Sequence, residues 1–326
     1  MTPDPALVYM TAAHREALAG LRYAVLAEKG FTLLTGDAGT GKTTMVLRLL
    51  ASLPPQVKVC RILNPVLEPA EFLEALIIQL GVQDMPSSKT RRLLILRDLL
   101  FQADACGELP VLIVDEAHKL DVELLEEIRL LGNLETAEKK LLQIILAGQT
   151  EMCDLLNRED LWQLKQRFAV RLHINALSQA QTAEYIAYRW RHCGGTNPAP
   201  FSPAAMAAIA RHAKGIPRII NAICDNALVL MMAQESPAVD EATILTVCKD
   251  LDLWETRTPS AAARPGPRIE APVPVAAPPD PVPVNPNSPG ASPPGAVPFQ
   301  TLHRYEEASV KKSLLSRCAA RLGLVD

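Results

Sequence analysis

One stretch limits the possible folds more than any other: residues 36–43 read Gly-Asp-Ala-Gly-Thr-Gly-Lys-Thr. The short apolar run from Phe31 to Thr35 precedes it, and a helix-forming segment from Lys42 to about Ala51 follows. Gly36, Gly39 and Gly41 let the backbone curl so that successive N–H groups point inward, a nest for anionic oxygens. A helix that begins near Lys42 turns its positive end toward the same anion. The pattern G-x-x-x-x-G-K-[ST], between a strand and a helix, is the context of a phosphate loop, or Walker A sequence. Lys42 is suited to reach β and γ phosphates, and the Thr43 hydroxyl to hold Mg2+. The expected cofactors are therefore ATP and Mg2+. The expected cradle is Gly36, Asp37, Ala38, Gly39, Thr40, Gly41, Lys42, Thr43 and Thr44.

A second apolar run, Val111 to Val114, ends in Asp115 and Glu116 about 70 residues further on. In open α/β sheets, ligands sit at the carboxyl ends of strands. Asp115 fits a metal-holding carboxylate, and Glu116 fits one that orients or deprotonates water attacking a γ phosphate. That pair argues for hydrolysis rather than storage of nucleotide. His118 completes an Asp-Glu-x-His string, but no second motor lobe follows, so it reads as a local hydrogen-bonding residue. Gln149, after the run LQIILAG, is expected beside the phosphates as a sensor. Arg167 and Arg171 flank the start of a further strand, and either suits an arginine finger reaching a neighbouring subunit, with Arg167 the first choice. Arg218 follows a Gly-Ile-Pro turn that fixes a helix start, from which it can reach back to nucleotide.

Strands are expected at Phe31 to Thr35, Val57 to Leu63, Val111 to Val114, Leu142 to Ala147 and Val170 to Ile174. Helices are expected at Pro69 to Leu80, Lys89 to about Ala103 and Asp121 to Leu131. This alternation argues for an α/β fold with a parallel sheet covered on both faces. From Ser178 the strands stop, and helices follow at Ser178 to His192, Ser202 to Ala213, Pro217 to Ala233 and Asp240 to about Leu251. Fourteen of the 27 prolines fall between Pro259 and Pro298, a composition that favours a disordered linker. Leu314, Leu315, Ala319 and Leu322 can then share one face of a short basic helix, and residues 304–324 carry a net charge of +3. That helix would suit docking to a partner, or would remain a frayed tail.

The whole chain of 326 residues has a formal net charge of −3, which does not draw it onto nucleic acid or anionic lipid. Its seven cysteines include no C-x-x-C pair, which argues against a zinc site or disulfide framework. No apolar run reaches the roughly 18 residues of a membrane span, and the first residues do not read as a signal peptide. A cytoplasmic location is expected, peripheral to the inner membrane through partners.

Several segments together resemble the ExeA/GspA-like AAA+ ATPases. They are MTAAHREALAGLRYAVLAEKGFTLLTGDAGTGKTTMVLRLL, VLIVDEAHKL, IILAGQTE, KQRFAVRLHINALS, AEYIAYRW and GIPRIINAICDNAL. The resemblance covers about residues 8–251. It implies a P-loop NTPase of AAA+ type: a five-stranded parallel sheet, then an all-helical lid domain, with nucleotide between them. The domains would be 1–176 for nucleotide binding and 177–256 for the lid, then 257–301 as Pro-rich linker and 302–326 as basic tail. The family also includes members with a membrane span and a peptidoglycan-binding module, neither of which reads out of this sequence.

The resemblance implies an oligomeric, Mg2+-dependent ATPase that assembles or remodels a secretion or pilus-type envelope complex. A related branch selects target DNA in transposition, so an ATP-dependent regulator on duplex DNA is the alternative. Arg91-Arg92, Lys139-Lys140 and Arg189/Arg191 would be its phosphate contacts. Against that stands the net charge of −5 over residues 1–257. A nucleotide-gated interaction switch with little turnover is a third reading.

Overall fold

Five short strands pair in parallel to form one sheet. The computed structural model describes residues 8–253 apart from 85, 196 and 197. The linker expected over 257–301 and the basic tail over 302–326 lie outside the described residues. In chain order the elements are α1 (Ala12–Leu26), β1 (Phe31–Gly36), α2 (Lys42–Ser52), β2 (Val57–Ile62), α3 (Pro69–Gln79) and α4 (Lys89–Ala105). Then follow β3 (Leu109–Val114), α5 (Val122–Leu131), β4 (Gln143–Gly148), α6 (Glu151–Leu155), α7 (Trp162–Arg167) and β5 (Phe168–Ile174). The remaining helices are α8 (Gln179–His192), α9 (Pro203–Ala213), α10 (Pro217–Ala233) and α11 (Glu241–Asp250).

The strand order is β2-β3-β4-β1-β5. Burial follows this order. Every residue of β1 and β4 is buried, while the edge strand β5 alternates between buried and open positions. Central strands covered on both faces need continuous apolar runs, and edge strands do not. Successive residues feed opposite layers. Leu112, Val114, Ile144 and Leu146 pack with α3, α4, α5 and α7. Val111, Ile113, Ile145 and Ala147 pack with α1 and α2. The two layers pin the register, because a one-residue slip would exchange them.

Helix α1 was absent from the sequence reading. Thr11 caps it by accepting from the His14 N–H at 3.2 Å, while the Thr11 N–H donates to His14 Nδ1 at 3.3 Å. An imidazole thus stands where a capping box ordinarily has Glu or Gln. The short helices α6 and α7 were also missed, and β5 begins at Phe168 rather than Val170.

Helices α8 to α11 enclose a second core of Trp190, Ile209, Ile223, Leu228 and Ile244. Ser178, Ser202 and Asp240 cap three of them. Pro203 and Pro217 open α9 and α10, where a missing N–H costs nothing. The α9–α10 turn is tied back to the chain leaving β5, since the Leu177 N–H donates to the Gly215 carbonyl at 2.8 Å.

Gly215 has φ of +73°, and a Cβ there would lie 1.9 Å from the Leu177 carbonyl oxygen. Gly215→Ala is therefore expected to destabilise the fold by about 2 kcal/mol or more, read from urea unfolding. Unchanged stability would show that this turn relaxes freely.

Candidate functional site

The glycine-rich segment bridges β1 and α2 at the carboxyl edge of the sheet. Lys42 opens α2 and is buried. Its Nζ donates to the carbonyl oxygens of Gly36 at 2.8 Å and Asp37 at 3.0 Å, which lays the ammonium across the loop. Burial lowers its pKa, and the carboxylates of Glu116, Asp115 and Asp37 oppose that shift. Thr40 is buried and donates its hydroxyl to the Asp37 carbonyl at 2.9 Å, holding the curl. Asp37 and Ala38 are exposed at the crest, while Gly39, Gly41, Thr43 and Thr44 are half-buried.

Gly39 has φ of +84°. A Cβ on it would stand 2.8 Å from Arg218 Cβ and 3.1 Å from Ile216 Cγ2. The first turn of α10 is packed directly on the loop, and the Arg218 N–H faces the Gly39 carbonyl at 3.4 Å. The sequence placed Arg218 within reach of this loop, and the structure brings it there.

The carboxylates arrive from β3. Asp115 is buried. Its Oδ2 accepts from the Thr43 hydroxyl at 2.9 Å and from Arg61 Nη2 at 3.3 Å, and its Oδ1 accepts from the Glu116 N–H at 3.0 Å. Thr43 and Asp115 therefore converge as a hydroxyl–carboxylate oxygen pair, a donor set that suits a hard divalent cation. Among the described residues, no group of three or more His, Cys, Asp or Glu side chains forms an all-protein metal cage. Mg2+ commonly takes one or two protein oxygens and completes its shell with water and phosphate, so this pair fits it.

Glu116 has φ of +53° and ψ of +33°, the left-handed region. A non-glycine residue there carries local strain, and such strain clusters at functional sites. Its Oε2 lies 3.5 Å from Lys119 Nζ and 3.6 Å from His118 Nε2.

Gln149 leaves β4, which sits between β1 and β3. Strand order alone therefore sets it between the loop and the acidic pair. Its N–H donates to His118 Nδ1 at 3.2 Å. The next residue, Thr150, donates its hydroxyl to Asp37 Oδ1 at 2.8 Å.

Arg167 is elsewhere. It immediately precedes Phe168, which pairs with Phe31 at the start of β1, so it lies at the strand end opposite Gly36. The Glu126 carboxyl is held below its usual range chiefly by Arg129, with Arg167 adding to the effect. Arg171 is exposed and donates to the Lys165 carbonyl. Neither arginine belongs to this chain's own phosphate loop.

Sequence reasoning missed three contributors. Arg61, the penultimate residue of β2, holds Asp115; only the β2–β3 register, Ile62 beside Val114, brings them together. Thr150 clasps the loop. His14, in the cap of α1, hydrogen-bonds the Thr40 backbone, which opposes a downward pKa shift caused by burial. The sequence signal for His14 was its capping position, Thr-x-x-His.

Sheet order, phosphate loop and strand-end carboxylates together define a P-loop NTPase of the AAA type. The family model described as AAA domain matches residues 25–156. The Cdc6p structure from Pyrobaculum aerophilum aligns with a TM-score of 0.58 at 16% identity, covering 76% of this chain and 71% of that one. The ORC2 structure from Aeropyrum pernix, in its ADPNP–ADP complexes, gives 0.53 at 18% identity, covering 72% and 66%. At such identities these two speak for the fold. General secretion pathway protein A of Aeromonas hydrophila is 41% identical over 240 residues, 72% of this chain and 43% of that protein. The chain carries an AAA domain and is ExeA/GspA-like over the 240 residues matched. It spans less than half the length of this relative.

Gly39→Ala forces the loop and the start of α10 apart. Strain of about 1.4 kcal/mol would weaken nucleotide binding roughly ten-fold, measured by calorimetric titration of the full chain. Undiminished affinity would show that α10 does not constrain the loop.

Proposed function

We propose that this chain binds ATP with Mg2+ in the residue 36–44 loop and hydrolyses it, and that turnover assembles or remodels a secretion or pilus-type envelope complex. The observation that carries the proposal is the 2.9 Å bond from Thr43 to Asp115, with the left-handed Glu116 next in the chain. In this reading Lys42 and the loop N–H groups take the β and γ phosphates. Thr43 and Asp115 would hold Mg2+, and the ion would supply charge that neutralises the phosphate oxygens. Glu116 orients the attacking water and accepts its proton. Gln149 senses the γ phosphate, and Arg218 reports it to the helical lid assigned to residues 177–256. Arg167, on the far edge of the sheet, acts only in trans, as a finger onto a neighbouring copy.

The secretion role is supported by kinship with general secretion pathway protein A. Among the described residues no helix is long and apolar enough to cross a membrane. Attachment to an inner-membrane complex from the cytoplasmic side, through partner proteins, is part of the same proposal. The duplex-DNA alternative is less favoured because three of its six basic side chains are held in ion pairs within the chain. Arg92 pairs with Glu74, Lys139 with Asp104 and Lys140 with Glu135. Cations held in such pairs offer less to a phosphate backbone.

Full-length protein with Mg2+ should hydrolyse ATP, and chelation of the metal should stop it. Glu116→Gln should keep ATP binding but lower kcat by about 10²-fold or more. Arg167→Ala should also be slow, yet mixing it with Glu116→Gln should restore part of the activity, because each copy supplies what the other lacks. Equal turnover by wild type and Glu116→Gln would refute the hydrolytic role. Failure of mixing to restore any activity would refute the finger.

A further inference from the structure

The turn after β3 and the exit of β4 are pressed together. A Cβ on Gly148 would lie 3.2 Å from the His118 backbone nitrogen. The Gln149 N–H donates to His118 Nδ1 at 3.2 Å. Nδ1 is thus an acceptor, so the neutral ring carries its proton on Nε2. Nε2 faces two groups. The terminal amide nitrogen of Gln149 is placed 3.0 Å away, and Glu116 Oε2 is 3.6 Å away. An Nε2–H calls for an acceptor, so the amide orientation that satisfies it presents the Gln149 carbonyl oxygen. A single N–H therefore stands between two acceptors, one on the expected sensor and one on the expected base.

The imidazole is well enclosed, with its side chain 13% exposed, while Lys119 touches Glu116 from the open side with 52% exposure. The protein face of the Glu116 carboxylate is thus set by His118. Thr150 adds a tether from the same β4 exit to Asp37 in the loop. Sensor and base are joined through one imidazole, and Thr150 ties the same strand exit to the loop.

We propose that His118 is a positioning residue that couples Gln149 to Glu116. When the Gln149 side chain turns toward an anion in the loop, the His118 Nε2–H passes from the amide oxygen to the Glu116 carboxylate and fixes its orientation toward water. The proposal rests on the hydrolytic reading above and adds the device that links nucleotide sensing to it.

The test compares His118→Ala, His118→Asn, His118→Gln, Gln149→Ala and the double variant His118→Ala/Gln149→Ala in the full chain. Asn keeps an acceptor at the Nδ1 position but has no donor at the Nε2 position, whereas Gln reaches the Nε2 position with an N–H. The Ala and Asn variants should lose about ten-fold or more in kcat, with KM held within about two-fold. Gln should regain much of that loss, and the double variant should be no slower than the slower single one. Recovery by Asn, a change confined to KM, or multiplicative losses in the double variant would overturn the coupling. If His118→Ala fails to fold, the Asn and Gln pair still decides the matter. A wild-type chain that binds ATP but never hydrolyses it would bring down the hydrolytic reading and this coupling with it. Normal wild-type turnover with an undiminished Asn variant would remove the coupling alone.

Discussion

The hydrogen bond from the Thr43 hydroxyl to Asp115 joins two strands that are not neighbours. Thr43 follows the loop after β1, Asp115 directly follows β3, and β4 runs between them. A bond to a charged acceptor contributes about 1.5–3 kcal/mol. Its larger effect is geometric. Asp115 also accepts from Arg61 and from the Glu116 N–H, so its oxygens are oriented from three directions. Three other polar groups of the site lie beside this junction. Lys42 lies one residue before it, Glu116 one residue after it, and Gln149 emerges from the strand in between.

The apolar layers make that junction possible. Continuous burial of β1 and β4, with alternate side chains feeding two cores, leaves no freedom of register. The polar ends of the strands are thereby delivered to one edge with fixed spacing. The strained backbone of Glu116 sits just past the last buried residue of β3, where rigid packing can hold it.

Much of this was legible in the sequence because the signals are local. The phosphate loop carries its own glycines, lysine and threonine, and the acidic pair directly follows an apolar run. What was not legible depends on pairing between distant segments. Strand order cannot be read from periodicity, so Arg61 could not be linked to Asp115, nor Gln149 to His118. Helix α1 escaped because its cap uses His14 rather than a carboxylate or amide. Helices α6 and α7 are too short for a 3.6-residue period to stand out. Arg218 was inferred from its Gly-Ile-Pro turn, a local feature, and the packing of Gly39 against it supplies the contact that sequence could not.

The most direct measurement of the central junction is Mn2+ binding followed by electron paramagnetic resonance, in the presence of ADP, on wild type and Asp115→Asn. If Thr43 and Asp115 form the metal-holding pair, wild type will bind one Mn2+ per nucleotide, and the substitution will weaken it about ten-fold or more. Metal binding that ignores the substitution, with nucleotide bound and the fold intact, would contradict the account.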